Sequence, residues 1–220
     1  VDVVFYTVIL LMQELVEREQ NIKGAFNYRA YNVVQLKEYL MKLAFVDTET
    51  TGLDVNQHEI WEVALMLYED GILKTERIWE LPVDLGKADP MALKINKFYE
   101  RSEQSKSDEL YYDFSKKMNF AKEFVQLTDG AHLVGAIVSF DEERLRKLVH
   151  EANQCHMWHY HIIDVESLAA GHLNLLPPWK STDVWNKLGI EIDESTHHTA
   201  MGDVEVCVKV FEKIFPDYLK

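Results

Sequence analysis

Between Met41 and Leu81 the apolar positions fall into three short runs separated by polar turns. Leu43–Val46 is continuously apolar, Glu59–Tyr68 (EIWEVALMLY) is rich in β-branched and aromatic residues, and Ile72–Leu81 is a third run of similar length. Runs of this kind bounded by turn residues predict strands. Asp70-Gly71, between the last two, is a hairpin signal. The period then changes. Pro90–Arg101 follows an Asp and opens as a helix. Asp113–Leu127 places Phe114, Met118, Ala121, Phe124 and Val125 on one helical face. A strand over His132–Val138 and a helix over Asp141–Asn153 come next, then a strand over Tyr160–Val165. Ser181–Leu188 reads as a short helix closed by Gly189. A last helix over Met201–Phe215 turns Val204, Val208, Phe211 and Phe215 inward and stops at Pro216. Three strands in series, followed by strands alternating with helices, predict an α/β fold: a mixed sheet flanked by helices. Leu175-Leu176-Pro177-Pro178 reads as a rigid surface loop.

The N-terminal 40 residues break this pattern. Val3–Met12 is apolar but too short to span a bilayer, and Asp2 with no basic leader does not fit a signal peptide. Met41 stands six residues before Asp47, where a domain could begin. Two readings of 1–40 stay open. One is an appendage left by an over-extended reading frame with a non-ATG start. The other is an amphipathic arm that docks through Val33, Val34, Leu36 and Leu40. The domain proper is expected over 41–220.

Composition narrows the function. Hydrophobic residues make up 47% of the 220, enough for a substantial core, and the net charge is −14. That balance disfavours a protein gripping long nucleic acid with a basic face. It leaves room for a site that handles one phosphate through bound cations. Two cysteines, Cys155 and Cys207, form no CxxC pair, which points to a reducing cytoplasm. Cys155, His156, His159 and His161 suggest zinc at first sight, but their spacing fits no common closed site. The five tryptophans are expected mainly in the core. Trp179 beside Lys180 is the one placed to stack a base.

The chemistry gathers at strand ends. In AFVDTETTGL the first strand runs into Asp47 and Glu49, which share a face because side chains alternate. Two hard oxygen ligands without Cys or His beside them suit Mg²⁺ or Mn²⁺. Thr50, Thr51 and Gly52 then turn the chain, and as small residues they leave room for a substrate that their backbone N–H groups could contact. Taken alone, Asp-x-Glu is a solvated strand end. In HLVGAIVSFDEERL another acid, Asp141, follows a strand and opens a helix, where its bland role is an N-cap. In HHTAMGDVEVCVKVF, His198 precedes Asp203 by five residues, at the head of the last helix.

Together these three segments resemble the three motifs of the DEDDh exonucleases, the RNase H-like 3′→5′ family that includes oligoribonuclease, RNase T and the proofreading subunit of bacterial replicative polymerase. The matches are Asp47-Thr48-Glu49-Thr50-Thr51-Gly52, Phe140-Asp141, and His198-x-Ala200-x-x-Asp203. Thr199 stands where the tyrosine subclass would need Tyr. Ala136-Ile137 replaces the His-Asn often found ahead of the second motif, a departure that bears on substrate preference. The resemblance covers Met41 to Phe215. It implies an RNase H-like fold and hydrolysis of the terminal phosphodiester to a nucleoside 5′-monophosphate with two Mg²⁺ or Mn²⁺ ions. Asp47, Glu49, Asp141 and Asp203 would be the metal ligands, with Asp47 bridging and Asp141 often acting through water. His198 would be the general base, and Thr50, Thr51, Gly52 and Leu53 would line the terminal nucleotide. His197 is expected on the loop surface.

Single-stranded or 3′-terminal nucleic acid is the implied partner. A polymerase or replication protein and a homodimer are further possibilities, and no membrane association is expected. The competing reading is a catalytically weak nucleic-acid-binding or polymerase-associated module of the same fold. A magnesium phosphotransferase would require a Gly-rich phosphate loop that the sequence lacks.

Overall fold

The computed structural model describes residues 41–106, 114–193 and 195–220. Both readings of segment 1–40 concern residues outside this set. Met41–Lys220 forms one unit built on a five-stranded mixed sheet. Its strands are β1 (Lys42–Thr50), β2 (Ile60–Glu69), β3 (Ile72–Glu80), β4 (His132–Gly135) and β5 (Ile163–Asp164), in the spatial order β3-β2-β1-β4-β5. The β1–β2 and β2–β3 pairs are antiparallel, and β1–β4 and β4–β5 are parallel. The helices are α1 (Pro90–Ile95), α2 (Phe98–Arg101), α3 (Phe114–Thr128), α4 (Ser139–Glu151), α5 (Val165–His172), α6 (Ser181–Lys187) and α7 (Ala200–Ile214). This is the RNase H-like arrangement.

Strand alternation divides the core in two. Ala44 and Val46 of β1 pack with Val63 and Leu65 of β2, Phe120 and Phe124 of α3, and Leu145 of α4. Leu43 and Phe45 face the other way, onto Val165 of α5, Trp185 of α6, and Val204 and Phe211 of α7. The parity carries on to the strand tip. Asp47 and Glu49 continue the Leu43–Phe45 row and so point toward the start of α7, while Thr48 continues the Ala44–Val46 row toward α4. Burying each of the larger apolar side chains in these rows contributes roughly 1.5–3 kcal/mol, which fixes register and thereby fixes where the carboxylates go.

The structure departs from the expected elements in several places. The first strand runs past Val46 to Thr50, because Asp47–Thr50 pair with Ala64–Ile60 across β2. The helix expected over Pro90–Arg101 is two helices, broken where Lys97 adopts a left-handed conformation at φ 54°. On α3, Phe114 is exposed and Phe120 and Lys117 are buried instead. The strand after Ala131 stops at Gly135, and Tyr160–Val165 contributes only Ile163–Asp164 to the sheet. Val165, expected to end a strand, instead opens the helix Val165–His172, which is capped by Asp164, whose carboxylate accepts from the Glu166 and Ser167 N–H groups. Phe215, expected inward, follows α7 and is exposed. Trp61, Trp158 and Trp185 are buried. Trp179 packs against the α7 side of the core and donates to Glu166 at 2.8 Å.

Candidate active site

The carboxyl ends of β1 and β4 and the start of α7 meet at one place. Asp47, Glu49 and Asp203 each direct a carboxylate oxygen there, and these oxygens lie within 4.8 Å of one another. Asp141 reaches the same place from the first turn of α4. It is 3% exposed and accepts a 2.7 Å hydrogen bond from the Thr48 hydroxyl. Two neighbouring residues of one strand thus serve the site from opposite faces: Asp47 directly, and Thr48 by holding Asp141.

Asp203 is placed by the first turn of α7. The Thr199 hydroxyl accepts from Gly202 N at 3.1 Å and donates to Thr196 O at 2.7 Å, closing the loop ahead of the helix. Gly202 is required there, since a Cβ would sit 2.2 Å from the Thr196 carbonyl oxygen. His197 and His198 stack with centroids 3.8 Å apart, and both bring a ring nitrogen near Asp203. His197, expected on the loop surface, is half-buried with Nδ1 3.3 Å from Asp203 Oδ1. His198 is exposed and has φ 60°.

The turn after Glu49 is organised by its own side chains. The Thr50 hydroxyl donates to Gly52 O, and the Thr51 hydroxyl accepts from Glu59 N. Both threonines are buried. Gly52 lies under the His58 imidazole, where a Cβ would come within 2.5 Å of the ring. Of the four residues expected to meet a nucleotide, Leu53 alone projects outward, at 78% exposed. Its carbonyl is held by the Arg144 guanidinium. Cys155, His156, His159 and His161 do not form a three-ligand cluster among the described residues.

A fifth acid was missed by the sequence reading. Glu62 sits on β2 directly opposite Glu49, and like charges in that position repel. Its partner is Arg101 of α2. Asn96, at the α1–α2 break, donates to Thr50 O at 2.9 Å and also hydrogen-bonds the Glu49 carboxylate. The available signal was one Glu in an otherwise apolar strand, because a carboxylate in such a run requires a partner.

The electrostatics are those of a site short of positive charge. Burial pushes the Asp47 carboxyl well above its ordinary value, and the charges of Asp141, Asp203, Glu49 and Glu62 add to this. Burial likewise raises Glu49 to about 8, helped by Asp203 and Glu62 and opposed by Arg101 and Asn96. Asp141 rises to about 7 through burial, against the Thr48 hydrogen bond that lowers it. Asp203 is raised by burial and held back by His197. Four carboxyls that cannot all ionise together, with three converging oxygens and no sulfur, fit hard divalent cations such as Mg²⁺ or Mn²⁺.

The RNase_T family, described as exonuclease, matches residues 44–211. The chain belongs to this exonuclease family. The match spans every carboxylate just described. A solved structure of exonuclease I superposes with a TM-score of 0.64 at 17% identity, covering 80% of this chain and 41% of its own. E. coli exonuclease I in complex with a dT13 oligonucleotide gives 0.60 at 17% identity, over 81% and 41%. Exonuclease I with the SSB C-terminus gives 0.59 at 15% identity, over 80% and 41%. This RNase T family chain therefore spans about two fifths of the length of those structures. No curated protein matches it.

The carboxyl shifts give the RNase T family site a testable pH signature. Glu49 and Asp141 bind protons more tightly folded than unfolded. Between the ordinary carboxylate value of 4.5 and about 8, the folded state therefore holds the extra protons. Stability of the metal-free protein must then fall as pH rises through that window. We expect the melting midpoint to drop on the order of 10 °C across it, and saturating Mn²⁺ to remove most of the drop. A metal-free midpoint that stays level or climbs would show that the carboxyls do not crowd one another.

Proposed function

We propose that the chain is a metal-dependent 3′→5′ exonuclease that releases nucleoside 5′-monophosphates from single-stranded or frayed 3′ ends. The observation that carries this reading is the convergence of Asp47, Glu49, Asp141 and Asp203 beside two histidines at the carboxyl end of β1. Asp47, Glu49 and Asp203 would hold two Mg²⁺ or Mn²⁺ ions, with Asp141 as a further ligand. When bound, such ions acidify a water and stabilise charge on the phosphate oxygens. His198 accepts the proton of the attacking water, and the bond between phosphorus and the 3′ oxygen breaks. The Thr50-Thr51-Gly52 turn lines the approach of the terminal nucleotide, and the exposed Leu53 packs against its base.

The net charge of −14 supports short or single-stranded ends over long duplex. It also supports a replication partner that delivers the end. That exonuclease I has been solved with dT13 and with the SSB C-terminus agrees with both ideas. Among the described residues no helix is long and apolar enough to cross a membrane. A cytoplasmic setting and a homodimer belong to the same proposal.

The test uses 5′-labelled single-stranded DNA and short RNA, with Mg²⁺, Mn²⁺ or chelator. A ladder that shortens from the 3′ end only with metal is the expected result. Tight binding without cleavage would replace the reading with a binding module, and the better-cleaved polymer identifies the substrate.

A further inference from the structure

Arg101 lies outside the three motifs, yet several segments of the site meet on it. One guanidinium nitrogen pairs with Glu62. Another donates to Asn96 O at 2.9 Å and to His198 O at 3.1 Å. The same Glu62 oxygen that pairs with Arg101 accepts from Ala200 N, the first N–H of α7, at 3.0 Å. The guanidinium also lies 4.9 Å from the Trp61 ring centroid, which backs it from the β2 side. The pair is largely buried, with side chains 20% and 13% exposed.

Two features indicate more than a structural ion pair. The backbone Arg101 grips is that of His198, a non-glycine residue at φ 60°. Such a conformation persists only when its surroundings impose it. And Glu62 faces Glu49 directly across the β1–β2 ladder. Without Arg101 it would be a fifth free carboxylate beside the cage, competing for the same cations. Paired, it acts as the acceptor that fixes the start of α7.

We propose that Arg101 and Glu62 form a latch that positions the histidine segment: Arg101 sets the His198 backbone, Glu62 sets the first turn of α7, and together they aim His198 and Asp203 at the reacting phosphate. Arg101 is a positioning residue, since it acts through His198 and touches no reacting atom. A planar guanidinium can serve a carboxylate and two carbonyls in different directions at once, which an ammonium at the end of a flexible stem does poorly.

This inference rests on the exonuclease reading, so the wild-type chain is assayed first on single-stranded DNA with Mn²⁺. Arg101→Met should then lower kcat on the order of 10- to 100-fold with KM nearly unchanged, the signature of misaligned groups. Arg101→Lys should recover melting temperature but not kcat. Glu62→Gln, which keeps an acceptor for Ala200 N, should lower kcat as well. The Arg101→Met/Glu62→Gln double variant should be no worse than the poorer single. With ¹³C-labelled histidine, the His197 and His198 ring signals should shift or broaden in Arg101→Met while that of His150 stays put. The ring signals report on the latch even if the wild type cleaves nothing, so failure of the exonuclease reading and failure of the latch are told apart. Undisturbed His197 and His198 signals, a loss confined to KM, recovery of kcat by Lys, or additive effects in the double variant would each overturn the latch.

Discussion

Asp47→Asn is expected to abolish cleavage while making the metal-free protein more stable, two effects of opposite sign from one substitution. The carboxyl it removes is crowded: burial and four neighbouring acids, Asp141, Asp203, Glu49 and Glu62, all disfavour its charge. Asparagine keeps the shape and removes the charge. The remaining carboxyls then ionise with less opposition, and the metal-free melting midpoint should rise by about 3–6 °C. Activity moves the other way. Stabilisation of transition-state charge by a bound divalent ion amounts to several kcal/mol. At about 1.4 kcal/mol per tenfold, losing it costs at least about 10³-fold in kcat. The two measurements cross when metal is added. Mn²⁺ should raise the wild-type midpoint by binding only the folded state, and should leave Asp47→Asn nearly unmoved. A variant that still cleaves, or that melts earlier than wild type without metal, would mean that Asp47 is not at the centre of a cation cage.

That crowding explains which parts of the molecule could be read from the sequence. The β2–β3 hairpin was legible because its strands are apolar and its turn is Asp-Gly, so the local signals agree with the final fold. The first strand was cut short in the reading because Asp47 and Glu49 look like a strand end. The ladder with β2 overrides that preference and carries β1 to Thr50. At β4 the error ran the other way. Ala136-Ile137-Val138 has strand-forming side chains, but Ile137 adopts φ 55° and its N–H turns toward Asp164 at 3.4 Å. The neighbouring β5 pairs only Ile163 and Asp164, with Val134 and Gly135, because Asp164 already caps the helix that begins at Val165.

The site divides in the same manner. Asp47, Glu49, Asp141, His198 and Asp203 could be named from the sequence because each lies in a short motif at a strand or helix end. Thr48 was quoted within a motif without a role, since its partner Asp141 is 93 residues away. Glu62 and Arg101 are 39 residues apart and have no motif at all. Their relation exists only once β2 and α2 have been brought together, so no local spacing could have disclosed it.

The stacked histidines lead to the second large effect. His198→Ala is expected to lower kcat by about 10³-fold, within the range for losing a general base, and His197→Ala by about tenfold or less. The two rings occupy adjacent places, so the question is which one meets the attacking water. His197 is half-buried with Nδ1 against Asp203 Oδ1. A ring held that way orients Asp203 and limits how far the loop can swing. His198 is the exposed member of the pair, on a backbone at positive φ, so its ring is the one open to a water from solvent. A base that must be neutral to accept a proton also leaves an acid limb in the pH–rate profile. That limb should vanish from the residual activity of His198→Ala and persist in His197→Ala. Exogenous imidazole should partly restore the former if the deleted ring acted on a proton and not on the fold. If His197→Ala proves the more damaged variant and loses the limb, the roles are exchanged, and the ring beside Asp203 is the one that takes the proton.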